Sequence, residues 1–137
     1  MHPPRQLFAV GPGRLALKEM PELLRQLDQD EVRVRAVLSA ISHGTEMRLI
    51  RGTTPSFQKR WDPLRRIYCT DGQSKTYPCA LGYETVGEVI ETGSAVKSVF
   101  VGDLVWIDRP HAEMHIVRAE DAAHGRLGNV TAQRGVF

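Results

Sequence analysis

Glycines interrupt short β-forming runs through the middle of this chain, and that pattern restricts its fold more than any other feature. Glu84-Thr85-Val86-Gly87-Glu88-Val89-Ile90-Glu91 is rich in strand formers, with Gly87 inside it. A glycine within a strand marks a bulge or the close approach of another backbone. Gly93-Ser94 then turns the chain, and Gly102-Asp103 opens a further strand, Leu104-Val105-Trp106-Ile107. His111 to Arg118 gives one more, with Met114, Ile116 and Val117 as its apolar members. Upstream, Leu7 to Val10 and Leu15 to Glu19 flank Gly11-Pro12-Gly13 and read as a hairpin. Glu31 to Val37 alternates charge with valine, as a strand with one wet face should. Many short strands with glycine turns predict an all-β barrel or sandwich.

Helical patterning is sparse. Leu23, Leu24 and Leu27 have one-face helical spacing, but Pro21 to Gln29 is short for a helix. Ile41-Ser42-His43-Gly44-Thr45-Glu46 is a polar turn. Thr45 there is a candidate N-cap for a short helix from Glu46 to Ile50, ended by Gly52. Residues 51–80 are basic and poorly patterned, and read as an extended loop. Asn129 to Phe137 reads as a helix entry with Thr131 as its cap. That tail suggests a chain that ought to continue.

The 137 residues suit one domain with one core. A net charge of +2 is too small to argue for nucleic acid or membrane binding. The basic stretch with Arg48, Arg51, Lys59, Arg60, Arg65 and Arg66, interleaved with Phe57 and Trp61, reads either as a solvated loop or as a surface for a phosphorylated substrate or acidic partner. No apolar run is long enough to span a bilayer, and the start lacks the apolar stretch of a signal peptide, so a cytoplasmic protein is expected. Cys69 and Cys79 form no Cys-x-x-Cys pair and read as reduced structural thiols.

The segment Gly82-Tyr83-Glu84 through Gly93, then Gly102-Asp103-Leu104-Val105, resembles the medium-chain dehydrogenase/reductase superfamily, whose members carry Gly-His-Glu and a later Gly-Asp-x-Val. The turn Ile41 to Glu46 resembles that family's Ile-Cys-Gly-Ser/Thr-Asp, and His111-Ala112-Glu113-Met114 its His/Tyr-Ala-Glu-Tyr strand. The order is right and nearly the whole chain is covered. The resemblance implies a mainly β, GroES-like, partly open β-barrel with short helices and a long loop, the N-terminal domain of alcohol dehydrogenase-like proteins.

Zinc-type members of that family use a cysteine and the histidine of Gly-His-Glu as ligands, with the metal acting as a Lewis acid on an alcohol or carbonyl oxygen. A Ser or Thr hydroxyl relays the proton, and hydride passes to or from NAD(P) on a Rossmann domain. Here His43 falls at the cysteine position and Tyr83 at that of the histidine; Glu84 keeps its carboxylate. Tyrosine is a rare zinc ligand, and the four-cysteine structural lobe is absent from the sequence. No catalytic zinc site is expected. The motif Ile-Ser-x-Gly-Thr-Glu with Gly-Tyr-Glu resembles zinc-free, bacteriochlorophyllide dehydrogenase-like members.

The resemblance makes His43, Thr45, Tyr83 and Glu84 the candidate catalytic residues. Thr45 matches the relay hydroxyl, or it is a turn or capping hydroxyl. His43 suits a general base near neutral pH, or it is a turn histidine facing solvent. Tyr83 offers a phenol to substrate, or packs as an aromatic. Glu84 and Glu46 read as supporting carboxylates or surface charges. No Gly-x-Gly-x-x-Gly turn occurs in the sequence, so NAD(P) would have to be held by a Rossmann domain on another chain. Two functions follow: the half of an oxidoreductase that binds a small alcohol or carbonyl substrate, truncated or completed by a second polypeptide, or a non-catalytic GroES-like interaction module. Either predicts uncovered apolar surface that calls for a partner or self-association.

Overall fold

The computed structural model describes residues 2–73 and 75–128. The chain opens with β1 (Arg5–Gly11) and β2 (Arg14–Glu19), paired antiparallel as the Gly-Pro-Gly break predicts. Gly13 takes a positive φ of 66°, which only glycine adopts freely. The Pro21–Leu24 segment forms a single 3-10 turn, in keeping with its short pattern. Next come β3 (Glu31–Ser39) and α1 (His43–Arg51). β4 (Arg60–Asp62), β5 (Ile67–Cys69) and β6 (Cys79–Ala80) follow, then β7 (Thr85–Thr92) and β8 (Leu104–Ile107). β9 (Met114–Arg118), α2 (Ala119–His124) and β10 (Arg126–Leu127) complete the described residues. The predicted tail helix with Thr131 lies outside them.

The strands form a five-stranded sheet in the order β10-β8-β7-β3-β9, a three-stranded sheet β2-β1-β6, and the hairpin β4-β5. The five-stranded ladder ends at β10 and β9 and does not close on itself, so the barrel is open. A bridge between Gln6 and Ala112 ties β1 to the run leading into β9. The main core is aliphatic and lies inside the larger sheet: Val32, Val34, Val89, Val99, Val105, Ile107 and Val117, closed by Ala119 and Ala122 of α2. A second cluster of Ala9, Leu49 and Leu81 joins α1 to the smaller sheet.

Gly87 answers the strand-interior prediction. A Cβ there would sit 2.4 Å from Val34 Cγ1 and 2.6 Å from the Arg35 carbonyl oxygen, and the β3–β7 register slips between Ala36 and Leu38. The glycine lets β3 press against β7 where the sheet bends.

Two expectations need correcting. Residues 51–80 are not one structureless loop: they hold a 3-10 turn at Pro55–Phe57 and the β4-β5 hairpin, whose cross-strand pair Trp61–Tyr68 packs edge-to-face at 5.0 Å. Charged residues around that pair masked the strand pattern. The helix of the polar turn starts at His43, with Ser42 in the capping position, so Thr45 is a helical residue and not the cap. Gly52 ends the helix as predicted, at φ 72° in the left-handed conformation.

Candidate functional site

α1 has two faces with different chemistry. Glu46 and Leu49, three apart, are buried, whereas His43, Gly44, Thr45, Arg48 and Arg51 are exposed. The inner face is fixed by a polar chain that crosses the fold. His111 Nε2 lies 2.5 Å from Glu46 Oε1, and His111 Nδ1 lies 2.7 Å from Ser39 Oγ. An ionised carboxylate can only accept, so Nε2 carries the hydrogen toward Glu46; in the neutral imidazole Nδ1 then accepts from the Ser39 hydroxyl. The other Glu46 oxygen accepts from the Ser42 backbone N–H at 2.6 Å. The main chain of His111 is pinned as well: its N–H donates to Leu81 O, and its carbonyl accepts from Leu7 N–H.

Gly82 belongs to the same cluster. Its φ is 95°, and a Cβ would lie 2.7 Å from the His111 ring. The glycine of Gly82-Tyr83-Glu84 is therefore required by the imidazole stacked on it and by its own backbone. At the C-terminal end of α1, Tyr77 Oη lies 2.9 Å from the Leu49 carbonyl and 3.1 Å from that of Ile50, giving the last turn a hydroxyl donor.

The candidate residues gather at this end of the fold. Ser39 pairs with Thr85 across β3 and β7, and the Ala40 N–H donates to Glu84 O at 3.0 Å, so the α1 turn and the Tyr83-Glu84 turn run side by side. His43 and Thr45 stand on the exposed face of α1, Tyr83 is 40% exposed, and Glu84 is half-buried. Thr45, with Gly44, Arg48 and Thr54, lines a cleft of about 330 Å³. Among the described residues no hydrogen bond joins the side chains of His43, Thr45, Tyr83 and Glu84 to one another.

The residues present do not suit a catalytic zinc. His43 is exposed, Tyr83 stands where a ligand histidine would, and no group of three or more His, Cys, Asp or Glu among the described residues can hold a metal. The geometry adds what the sequence reading missed. His111 was legible only as part of a strand motif, and Glu46 only as a carboxylate of uncertain setting; their meeting across 65 residues needs the fold. A histidine that follows Pro110 ahead of a strand, together with a glutamate on the inner face of a helix, was the available signal.

Cys69 and Cys79 are unbridged and half-buried, and desolvation pushes the Cys79 thiol up from its ordinary value. No helix among the described residues is long and apolar enough to cross a membrane.

No curated protein matches the sequence. Solved structures match its fold. Galactitol-1-phosphate dehydrogenase from Escherichia coli aligns with a TM-score of 0.67 at 18% identity, over 97% of this chain and 41% of that one. An alcohol dehydrogenase from Thermus sp. ATN1 gives 0.64 at 18%, over 97% and 43%. A mutant enoyl thioester reductase from Candida tropicalis gives 0.61 at 22%, over 99% and 40%. At such identities the likeness shows the fold, and this chain spans about two fifths of the length of these neighbours. The profile of the alcohol dehydrogenase GroES-like domain matches residues 28–136, which take in β3, α1, the Gly82-Tyr83-Glu84 turn and His111. The chain belongs to the alcohol dehydrogenase GroES-like domain family.

Proposed function

We propose that this chain is the substrate-binding domain of an alcohol dehydrogenase-like, NAD(P)-dependent oxidoreductase that works without zinc, with the α1 cleft as its substrate site. One observation carries the reading: Thr45, which the family resemblance marks as the relay hydroxyl, opens into the cleft on α1. The inner face of that helix is held by Glu46, His111 and Tyr77, so the exposed face is presented on a fixed support. In this reading the Thr45 hydroxyl gives its proton to the oxygen of a small carbonyl compound as hydride from the nucleotide reaches the carbonyl carbon. His43, at the exposed start of the same helix, returns a proton to Thr45. Alcohol oxidation runs the same relay in reverse, the substrate proton leaving through Thr45 to His43. Tyr83 and Glu84 form the neighbouring wall, with the phenol as a further donor.

Every strand pairing among the described residues is antiparallel, so they form no βαβ dinucleotide cradle. A Rossmann domain outside this sequence would supply the redox equivalent, on a second polypeptide or in a longer chain. Exposed Val37, Ile41 and Tyr83, the last two flanking the candidate turns, offer apolar surface for such a partner or for self-association.

Joining the chain to a nucleotide-binding Rossmann domain, by co-expression or fusion, and following NAD(P)H oxidation with short aldehydes and ketones tests the proposal. Turnover is expected, with Thr45→Val lowering kcat about 10–100-fold and leaving KM within a few-fold. A complex that forms and shows no turnover with any carbonyl substrate would favour the interaction-module reading, which Tyr83 at the ligand-histidine position also supports.

A further inference from the structure

The charge balance around the cleft is uneven. Nine arginines of the described residues lie within ion-pair distance of a carboxylate: Arg5, Arg25, Arg33, Arg35, Arg60, Arg65, Arg109, Arg118 and Arg126. Arg48 and Arg51 on the exposed face of α1 have no such partner among the described residues. Arg48 lines the cleft together with two hydroxyls, Thr45 and Thr54, and with Gly44, where a side chain would otherwise begin to fill the space. Thr54 is held beside the helix because Gly52 turns the chain back, with the Thr53 N–H donating to the Arg48 carbonyl at 2.9 Å. Its hydroxyl lies 3.3 Å from Ser56 Oγ, which leaves it a further hydrogen-bonding position.

We infer that this cleft binds the phosphate group of a phosphorylated small-molecule substrate, with Arg48 and the Thr54 hydroxyl as its ligands and Thr45 at the reacting end. The inference rests on the reading of the cleft as the substrate site. A planar guanidinium with flanking hydroxyls is the arrangement that grips a tetrahedral oxyanion. Arg51 stands one turn along from Arg48, about 5–6 Å away at the Cβ atoms, and its second positive charge favours a dianion over a carboxylate. Thr45 and Arg48 have the same three-residue spacing. A molecule with its phosphate on Arg48 has Thr45 beside it in the same cleft, which suits a phosphate monoester of a small hydroxy or keto compound.

Glycerol 3-phosphate titrated into the full chain at low ionic strength, with binding read by calorimetry or by phosphorus NMR line broadening, tests this without any nucleotide. Saturable binding is expected, absent for glycerol and weaker for glycerate. Arg48→Met should raise Kd at least tenfold and Arg48→Lys should recover part of the loss. Arg14→Met removes an arginine on β2 that also lacks a carboxylate partner, and should change nothing. The inference is overturned by no binding, by equal effects of Arg48→Met and Arg14→Met, or by glycerate binding as tightly as the phosphate. Preferential binding of adenosine 2′,5′-bisphosphate would overturn it too, assigning the cleft to the nucleotide. Failure here leaves hydride transfer with unphosphorylated carbonyl compounds intact. Phosphate binding in a complex that transfers no hydride leaves the anion site standing and sinks the oxidoreductase reading.

Discussion

His111, just ahead of β9, and His115, within it, stand four residues apart, both buried, and the fold treats them in opposite ways. His111 is 9% exposed and has partners at both ring nitrogens. His115 is 4% exposed, pairs in register with Val34 on the inner side of β3, and leaves Nε2 with no hydrogen-bond partner. Desolvation, and secondarily the charge of Arg109, hold the His115 imidazole down at about 4, so it is a neutral ring used as core filling. The contrast separates a histidine that organises the candidate site from one that only occupies the barrel. Partners make the difference, since burial is nearly equal.

The largest effect expected from breaking this contrast is at Glu46. Glu46→Ala leaves His111 buried with one nitrogen unpaired and also removes the acceptor of the Ser42 N–H. With two donors left unsatisfied at about 1–3 kcal/mol each, a loss of about 2–6 kcal/mol in unfolding free energy is expected. Urea denaturation at pH 7 measures it. Glu46→Gln keeps one acceptor oxygen for the Ser42 N–H, while its NH2 can donate to His111 Nε2 once the ring takes the tautomer whose Nδ1–H donates to Ser39 Oγ, and it should recover more than half of the loss. If Glu46→Ala costs no more than an exposed substitution, the polar chain does not hold α1, and the rigidity assigned to the cleft goes with it.

The next effect belongs to His115 and depends on pH. Its folded pKa of about 4 lies below the ordinary 6.5, so between those values the unfolded chain binds a proton that the folded chain refuses. Stability therefore falls as pH drops from 6.5 toward 4 and loses nothing further from this group below that. The full loss is roughly 3 kcal/mol. Urea midpoints at pH 7, 5.5 and 4.5 should show it in the parent chain, and His115→Leu should flatten the curve over that window. A His115→Leu chain with the parent's pH dependence would place the titrating group elsewhere.

The same contrast explains what the sequence could show. The fold was legible because its signals are local. Gly-Pro-Gly announced the β1-β2 hairpin, alternating valines announced β3, and Gly87 announced a close approach that Val34 and Arg35 supply. The family motif was legible because Gly82 and Gly102 sit at backbone angles that few other residues adopt. The β4-β5 hairpin was not, since three-residue strands carrying Arg60, Asp62 and Cys69 beside Trp61 and Tyr68 have no clean period. Nor was the difference between His111 and His115. Both occur in one strand-like run, and the partners that distinguish them, Ser39 and Glu46, arrive from 72 and 65 residues away. His43, Thr45, Tyr83 and Glu84 came from the resemblance, and α1 showed why Thr45 and Arg48 share a surface: three-residue spacing on the exposed side of a helix whose Glu46 and Leu49 are buried.

The smallest expected effect sharpens the pH comparison from its acid side. Glu31 accepts the Arg25 guanidinium through both oxygens and the Asp28 N–H as well, and these bonds hold its carboxyl at about 2 against an ordinary 4.5. The sign follows from the lowered folded value: the stabilisation is present above pH 4.5 and is lost as pH falls toward 2. Arg25 is 46% exposed, so solvent screening keeps the contribution below about 1 kcal/mol. The two windows hardly overlap, since His115 is spent near pH 4 where Glu31 begins. In a His115→Leu background the acid transition should therefore start about two pH units lower, and adding Glu31→Gln should lower stability by less than 1 kcal/mol at pH 7 while removing part of what remains below pH 4.5. Urea midpoints for the parent, single and double variants at pH 7, 5 and 3 separate the contributions. If Glu31→Gln alone flattened the loss between pH 6.5 and 4, the assignment of that window to a buried, unpartnered imidazole would be wrong.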